Sequence, residues 1–143
     1  MKTVIGKDVA IKSLNDWHDY RRIKEGQRIS LDPETGKDVT REKLIEAFEY
    51  GILIFEEKTG VLIQKLEWPV KTESGEIKLQ ELKWKPRIQE RDLNEPMKGV
   101  SPKDTFGMMK AYISAATGVN KGFLGSMDLS DYSLSQSINN YFL

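Results

Sequence analysis

The chain has 143 residues, 38% of them hydrophobic, and its 22 basic side chains balance 22 acidic ones. That length fits one domain, or one domain with an appendage, with enough core to stand without staples. Neutral charge offers nothing to a nucleic acid or an acidic membrane, and the lack of cysteine excludes disulfides, thiol nucleophiles and zinc–cysteine sites. Neutrality also removes one safeguard against self-association, so a homo-oligomer stays open. The first residues, MKTVIGKDVAIK, carry charges inside any apolar core and do not read as a signal peptide. The longest apolar run, Ile52–Phe55, is too short to span a bilayer.

Taken in order, residues 1–14 alternate loosely, with Val4, Val9, Ile11 and Leu14 apolar, and read as one short strand. In Asn15–Glu25 the residues Trp17, Tyr20 and Ile23 recur every third position, which predicts a short amphipathic helix. Asn15 or Asp16 would cap it and Gly26 would end it. Asp32-Pro33-Glu34-Thr35-Gly36 has the chemistry of a tight reversal. Thr40 then caps a helix whose apolar stripe is Leu44, Ile45, Ala47 and Phe48, with Gly51 just past its end. Residues 52–66 either extend that helix or form a strand that turns at Glu57–Gly60; β-branched content and the placed glycine favour the strand.

Val61–Arg87 is the sequence form of a β-hairpin around Lys71-Thr72-Glu73-Ser74-Gly75. Leu66, Trp68 and Val70 would share a face of its first strand. In its second strand the phase slips between Ile77/Leu79 and Leu82/Trp84, which predicts a bulge at Glu81. Pro69 and Pro86 belong at strand ends or edges. After a polar linker, Ser101 reads as a cap with Pro102 as the first helical residue and Asp104 in a capping box. That helix runs to about Thr117, with Phe106, Met109, Ile113 and Ala116 on its apolar face, and Gly118 ends it. Val119–Met127 reads as a turn. Asp128 or Ser130 caps a last helix over Asp131–Leu143, with a stripe of Leu134, Ile138, Tyr141 and Phe142. The sum is an α+β fold: an antiparallel β-hairpin or three-stranded meander with two C-terminal helices and an N-terminal helical appendage. The division falls between an appendage at 1–60 and a hairpin-plus-helices unit at 61–143.

No motif carries chemistry. His18 stands beside acids, but a lone histidine without metal-ligand spacing reads as a solvated or capping residue. The glycines of Thr117–Gly125 follow a helix and lack the order of a phosphate loop, so they read as a helix-to-helix turn. Asp128 and Asp131 sit at a helix start and suit cap and dipole duty better than acid–base work. The serines from Ser126 to Ser137 have no base. Lys83, Lys85, Arg87 and Arg91 are interrupted by acids and read as a solvated face. Met97, Met108, Met109 and Met127 gather with Phe106, Phe123 and Phe142, either as ordinary core or as an adaptable surface for apolar partners.

Several pieces, in this order and spacing, carry a resemblance. They are LEWPVKTESGEIKLQELKWKPR, Arg91-Asp92-Leu93, Ala115-Ala116-Thr117-Gly118-Val119, and Met127-Asp128-Leu129-Ser130-Asp131-Tyr132 leading into a helix that finishes in Phe142. From residue 62 to 143 the chain resembles the small tail assembly chaperones of contractile-tailed phages and prophages; residues 1–60 have no counterpart. The resemblance implies a protein that is no enzyme, holds no cofactor or metal, and works in the cytoplasm of a bacterial host. Its partners would be the tape measure protein and the tail tube protein, without nucleic acid or membrane. Met108, Met109, Tyr112, Phe123, Tyr141 and Phe142 are the partner-binding face expected on this reading. The alternative is a structural tail or baseplate protein of the virion.

Overall fold

A computed structural model describes residues 2–28, 34–36 and 39–142. Its elements run α1 (Lys7–Tyr20), α2 (Val39–Glu49), β1 (Leu53–Glu56), β2 (Val61–Lys71), β3 (Ile77–Trp84), α3 (Thr105–Thr117), α4 (Lys121–Gly125) and α5 (Leu129–Asn139), with single 3-10 turns at Glu25–Gln27 and Glu90–Leu93. The fold is α+β: one antiparallel sheet in the order β1-β2-β3, with N-terminal and C-terminal helices packed on it.

The strand expected in residues 1–14 is instead the first half of α1. Ala10, Leu14, Trp17 and His18 are its buried residues, and their spacing of four, three and one is a helical stripe. Val9 and Ile11, which suggested alternation, flank that stripe, and Val9 is exposed. The helix starts after Gly6, not at Asn15 or Asp16. It ends at Arg21, followed by Arg22 at a left-handed φ of 56°, while Gly26 lies beyond, in the 3-10 turn. The reversal at Asp32-Pro33 lies outside the described residues, as does the residue before α2; Thr40 is the second residue of that helix and not its cap.

Gly51 ends α2 as expected. At φ 72° it donates its N–H to Phe48 O, and Ile52 N–H reaches Ala47 O, which closes the helix in a Schellman pattern. The chain leaves that turn directly into β1. Residues 53–56 are therefore a strand, paired Leu53 with Gln64 through Glu56 with Val61. The boundary drawn after residue 60 falls in the β1–β2 turn, between two strands of one sheet. A single core unites Trp17, Leu44 and Phe48 with Leu62, Leu82, Trp84, Ile113 and Ile138. The register places Leu53, Leu62, Gln64, Leu82 and Trp84 on one sheet face, and all five are buried. Each large apolar side chain enclosed there contributes roughly 1.5–3 kcal/mol.

No bulge falls at Glu81, which pairs regularly with Lys65; the larger irregularity is on β2, and a second leaves Lys78 of β3 extra between the Val70–Leu79 and Lys71–Ile77 pairs. Lys65 pairs with Glu81 and Val70 with Leu79, so β2 spends residues 66–69 where β3 spends Gln80 alone. Pro69 cannot donate to a ladder, and the extra residues turn Trp68 outward, 63% exposed, away from its expected partners Leu66 and Val70, which stay buried. The start of α3 also differs. Asp104 is the cap, its side chain accepting from Gly107 N–H, and Ser101 and Pro102 precede the helix. Gly118 ends α3 at φ 73°. The expected turn at 119–127 contains α4, capped by Asn120, and Asp128 caps α5 by accepting from Ser130 N–H. The last helix ends at Asn139, so Tyr141 and Phe142 lie beyond it.

Candidate functional site

Three features distinguish this fold: a buried polar network, an aromatic closure between the chain's two halves, and an apolar surface on the C-terminal helices.

Asp131 stands in the first turn of α5 and is only 3% exposed. It does not cap its own helix, a task left to Asp128. Its two carboxylate oxygens accept the N–H groups of Glu67 and Trp68, each at 3.0 Å. Those are the backbone groups that the β2 bulge takes out of the ladder, so the carboxylate substitutes for a missing strand. Behind it Gln64, fully buried on β2, donates to Asp131 O at 2.9 Å and accepts from Trp84 Nε1 at 3.2 Å and Ser135 Oγ at 2.7 Å. Every member of this network ties α5 to the sheet.

The second feature corrects the reading of His18. It is not solvated; it is fully buried, its ring 4.6 Å from that of Tyr141 and 5.1 Å from that of Trp17. Among the described residues neither ring nitrogen has a hydrogen-bond partner. Burial, reinforced by the positive charges of Arg28 and Arg41, pushes its pKa down to about 3, so at neutral pH it is an uncharged ring in an aromatic stack. Beside it Arg21 donates to Pro86 O at 2.7 Å and Tyr141 O at 2.9 Å, and its guanidinium carbon lies 3.6 Å from the centre of the Phe142 ring. Burial lowers its pKa to about 10. Phe142 also meets Trp84, with ring centroids 5.4 Å apart. Tyr141 and Phe142 thus close the core over Trp17 and Trp84, and the structure does not present them as a free face.

The other nominated residues are dispersed. Met109 packs against the core, and its sulfur accepts from Gln136 Nε2 at 3.1 Å. Met108 and Tyr112, four residues apart, share one side of α3 and are half-buried. Phe123 on α4 is 42% exposed. Two residues not nominated are far more open: Phe106 at the start of α3 and Leu129 at the start of α5, each 79% exposed. Lys110 connects them. It lies one turn after Phe106 on the same side of α3, shares a shallow depression with Leu124, Leu129 and Tyr132, and its Nζ would stand 3.6 Å from a Cβ built on Gly125. The signal that could have found Phe106 and Leu129 is positional. Both occupy the first turns of their helices, ahead of the stretch that packs.

Among the described residues a hydroxyl and an amine are paired: Lys43 Nζ donates to Ser133 Oγ at 2.8 Å, and burial lowers the lysine's pKa. Ser133 sits in mid-helix, where the neighbouring backbone N–H groups are spent on the helix and are not oxyanion donors. Among the described residues no group of three His, Asp or Glu could hold a metal ion, and no helix is long and apolar enough to cross a membrane. Compared with protein-family models, curated proteins and solved structures, the chain matches none.

Proposed function

We propose that this chain is a protein-binding chaperone of phage or prophage tail assembly, covering apolar helical surface of the tape measure protein until tube subunits replace it. The observation that carries the reading is the exposure of two large apolar side chains, Phe106 and Leu129, at the starts of α3 and α5, with Lys110 one turn after Phe106 and in the same depression as Leu129, and with Phe123 exposed on α4. Isolated exposed apolar residues are ordinary, but aromatic and aliphatic side chains on ordered helices beside a polar neighbour suit helix-in-groove contact. A small patch gives weak contact per copy. Many copies along one long helical partner would bind by avidity and still be displaced. In this reading the protein works in the bacterial cytoplasm and performs no catalysis.

The test is co-expression of a tagged chain with the tape measure protein and tail tube protein encoded beside it. The wild type is expected to co-purify the tape measure protein and to be missing from finished particles. Replacing Phe106→Asp together with Leu129→Asp is expected to cut the co-purified amount at least about tenfold, a loss of roughly 1.4 kcal/mol, within what truncating two anchor residues costs. Undiminished co-purification by the double variant would refute this face. Stoichiometric presence of the chain in purified particles would favour a structural tail or baseplate protein.

A further inference from the structure

The open edge of the sheet carries a second inference, independent of any tail partner. Among the described residues β3 is an edge strand, with β2 on one side only. Two hydrogen bonds fix which of its backbone groups face outward. Lys85 N–H goes to Ala116 O of α3, away from β2, and Lys65 N–H goes to Ile52 O, away from β3. Lys65 sits opposite Glu81, and the register from Glu81 to Trp84 is regular. Hydrogen-bonding direction alternates along a strand, so Glu81 and Lys83 both turn their N–H and C=O to the open side. Their side chains lie on the sheet face opposite buried Leu82 and Trp84.

A lysine-only edge would repel its own copy, a common protection against edge pairing. This edge is different because Glu81 stands two residues before Lys83, and the two side chains are only loosely paired within the strand, at 4.0 Å. We infer that β3 pairs antiparallel with β3 of a second copy of this chain about a two-fold axis at Leu82. Glu81 then faces the partner copy's Lys83, and Lys83 its Glu81, in two hydrogen-bonded pairs. Charge selects that register. Moved one step in one direction, Glu81 meets Glu81; moved one step in the other, Lys83 meets Lys83. Like charges directly opposite on a sheet oppose pairing. The two-fold joins two three-stranded sheets into one of six strands. The pairing stops at Lys85, whose N–H α3 already holds. The neutral net charge of the chain leaves no long-range repulsion between copies.

Sedimentation equilibrium over a concentration series tests this, with circular dichroism confirming that each variant is folded. The wild type is expected to form a concentration-dependent dimer. Glu81→Lys alone and Lys83→Glu alone each place like charges across the axis and are expected to weaken it at least tenfold. Mixing the two single variants restores opposite charges at both pairs, so the mixture is expected to dimerise where neither does alone. Amide exchange at Glu81 and Lys83 should slow as wild-type concentration rises. A wild type that stays monomeric up to about 1 mM, a free-energy scale of roughly 4 kcal/mol, would overturn the inference. So would a dimer that both single variants leave intact.

Discussion

Removing the carboxylate of Asp131 should destabilise the fold by an amount the structure allows one to work out. The side chain is buried and accepts two backbone N–H groups, from Glu67 and Trp68. Asp131→Ala leaves both donors without their acceptor, at about 1–3 kcal/mol each, and the exposed position of Trp68 places its share at the low end. Loss of a negative charge in the first turn of α5 adds roughly 0.3–1 kcal/mol. The total is about 3 kcal/mol, a large part of the roughly 5–15 kcal/mol that holds a typical domain together. Unfolding entropy near 2 cal/mol/K per residue translates this into a melting temperature lower by about 10 °C. Asp131→Asn keeps the volume and one acceptor, and should cost about half as much. Urea and thermal unfolding at pH 7, with amide exchange at Glu67 and Trp68, measure both effects. Asp128→Ala is the control: an exposed cap, worth about 1 kcal/mol, whose loss should leave those two amides untouched. The reasoning fails if Asp131→Ala unfolds within about 0.5 kcal/mol of wild type, the range of ordinary surface substitutions.

Two further outcomes follow from buried or crowded positions. His18 has its pKa lowered to about 3 by burial, against 6.5 when unfolded. Below pH 6.5 the unfolded chain therefore takes up a proton that the folded chain refuses, and stability falls by about 1.4 kcal/mol per pH unit. Between pH 6.5 and pH 5, ahead of most carboxylate titration, wild type should lose about 2 kcal/mol in urea unfolding, while His18→Phe should show a flatter profile; equal slopes would contradict the burial. Gly60, at φ 74° in the β1–β2 turn, would drive an added Cβ into the Tyr20 ring, whereas Gly75, at φ 87°, has open space around it. Gly75→Ala should cost only the backbone term of about 1–2 kcal/mol, and Gly60→Ala measurably more; equal costs in thermal unfolding would show that Tyr20 simply moves aside.

Much of the architecture is legible in residue order. Gly51 and Gly118 mark helix ends because only a left-handed residue can satisfy the last carbonyls there, and Asp128 marks a helix start because its carboxylate reaches Ser130 N–H. What was hidden depends on contacts between distant segments. The first helix is disguised because Val9 and Ile11 lie either side of a stripe made by Ala10, Leu14 and Trp17. Trp68 fits a buried alternation until the bulge around Pro69 turns it out, and that bulge is stable only because Asp131, far along the chain, receives the freed N–H groups. His18 reads as a surface residue because its neighbours Asp16 and Asp19 are polar, yet it lies on the helix side that Tyr141 covers. Met109, Tyr141 and Phe142 have the composition of a sticky surface and the positions of core, while Phe106 and Leu129 overhang at helix starts where spacing cannot show that packing has not begun.

The bonds of Arg21 to Pro86 and Tyr141 have a consequence for the order of events during synthesis. A chain leaving the ribosome carries its first helix into solution well before Tyr141 and Phe142 exist, so α2 can cover Trp17 early while the ring contacts of Tyr141 with Trp17 and His18 come last. That part of the core is therefore completed only after the sheet and the C-terminal helices have been made.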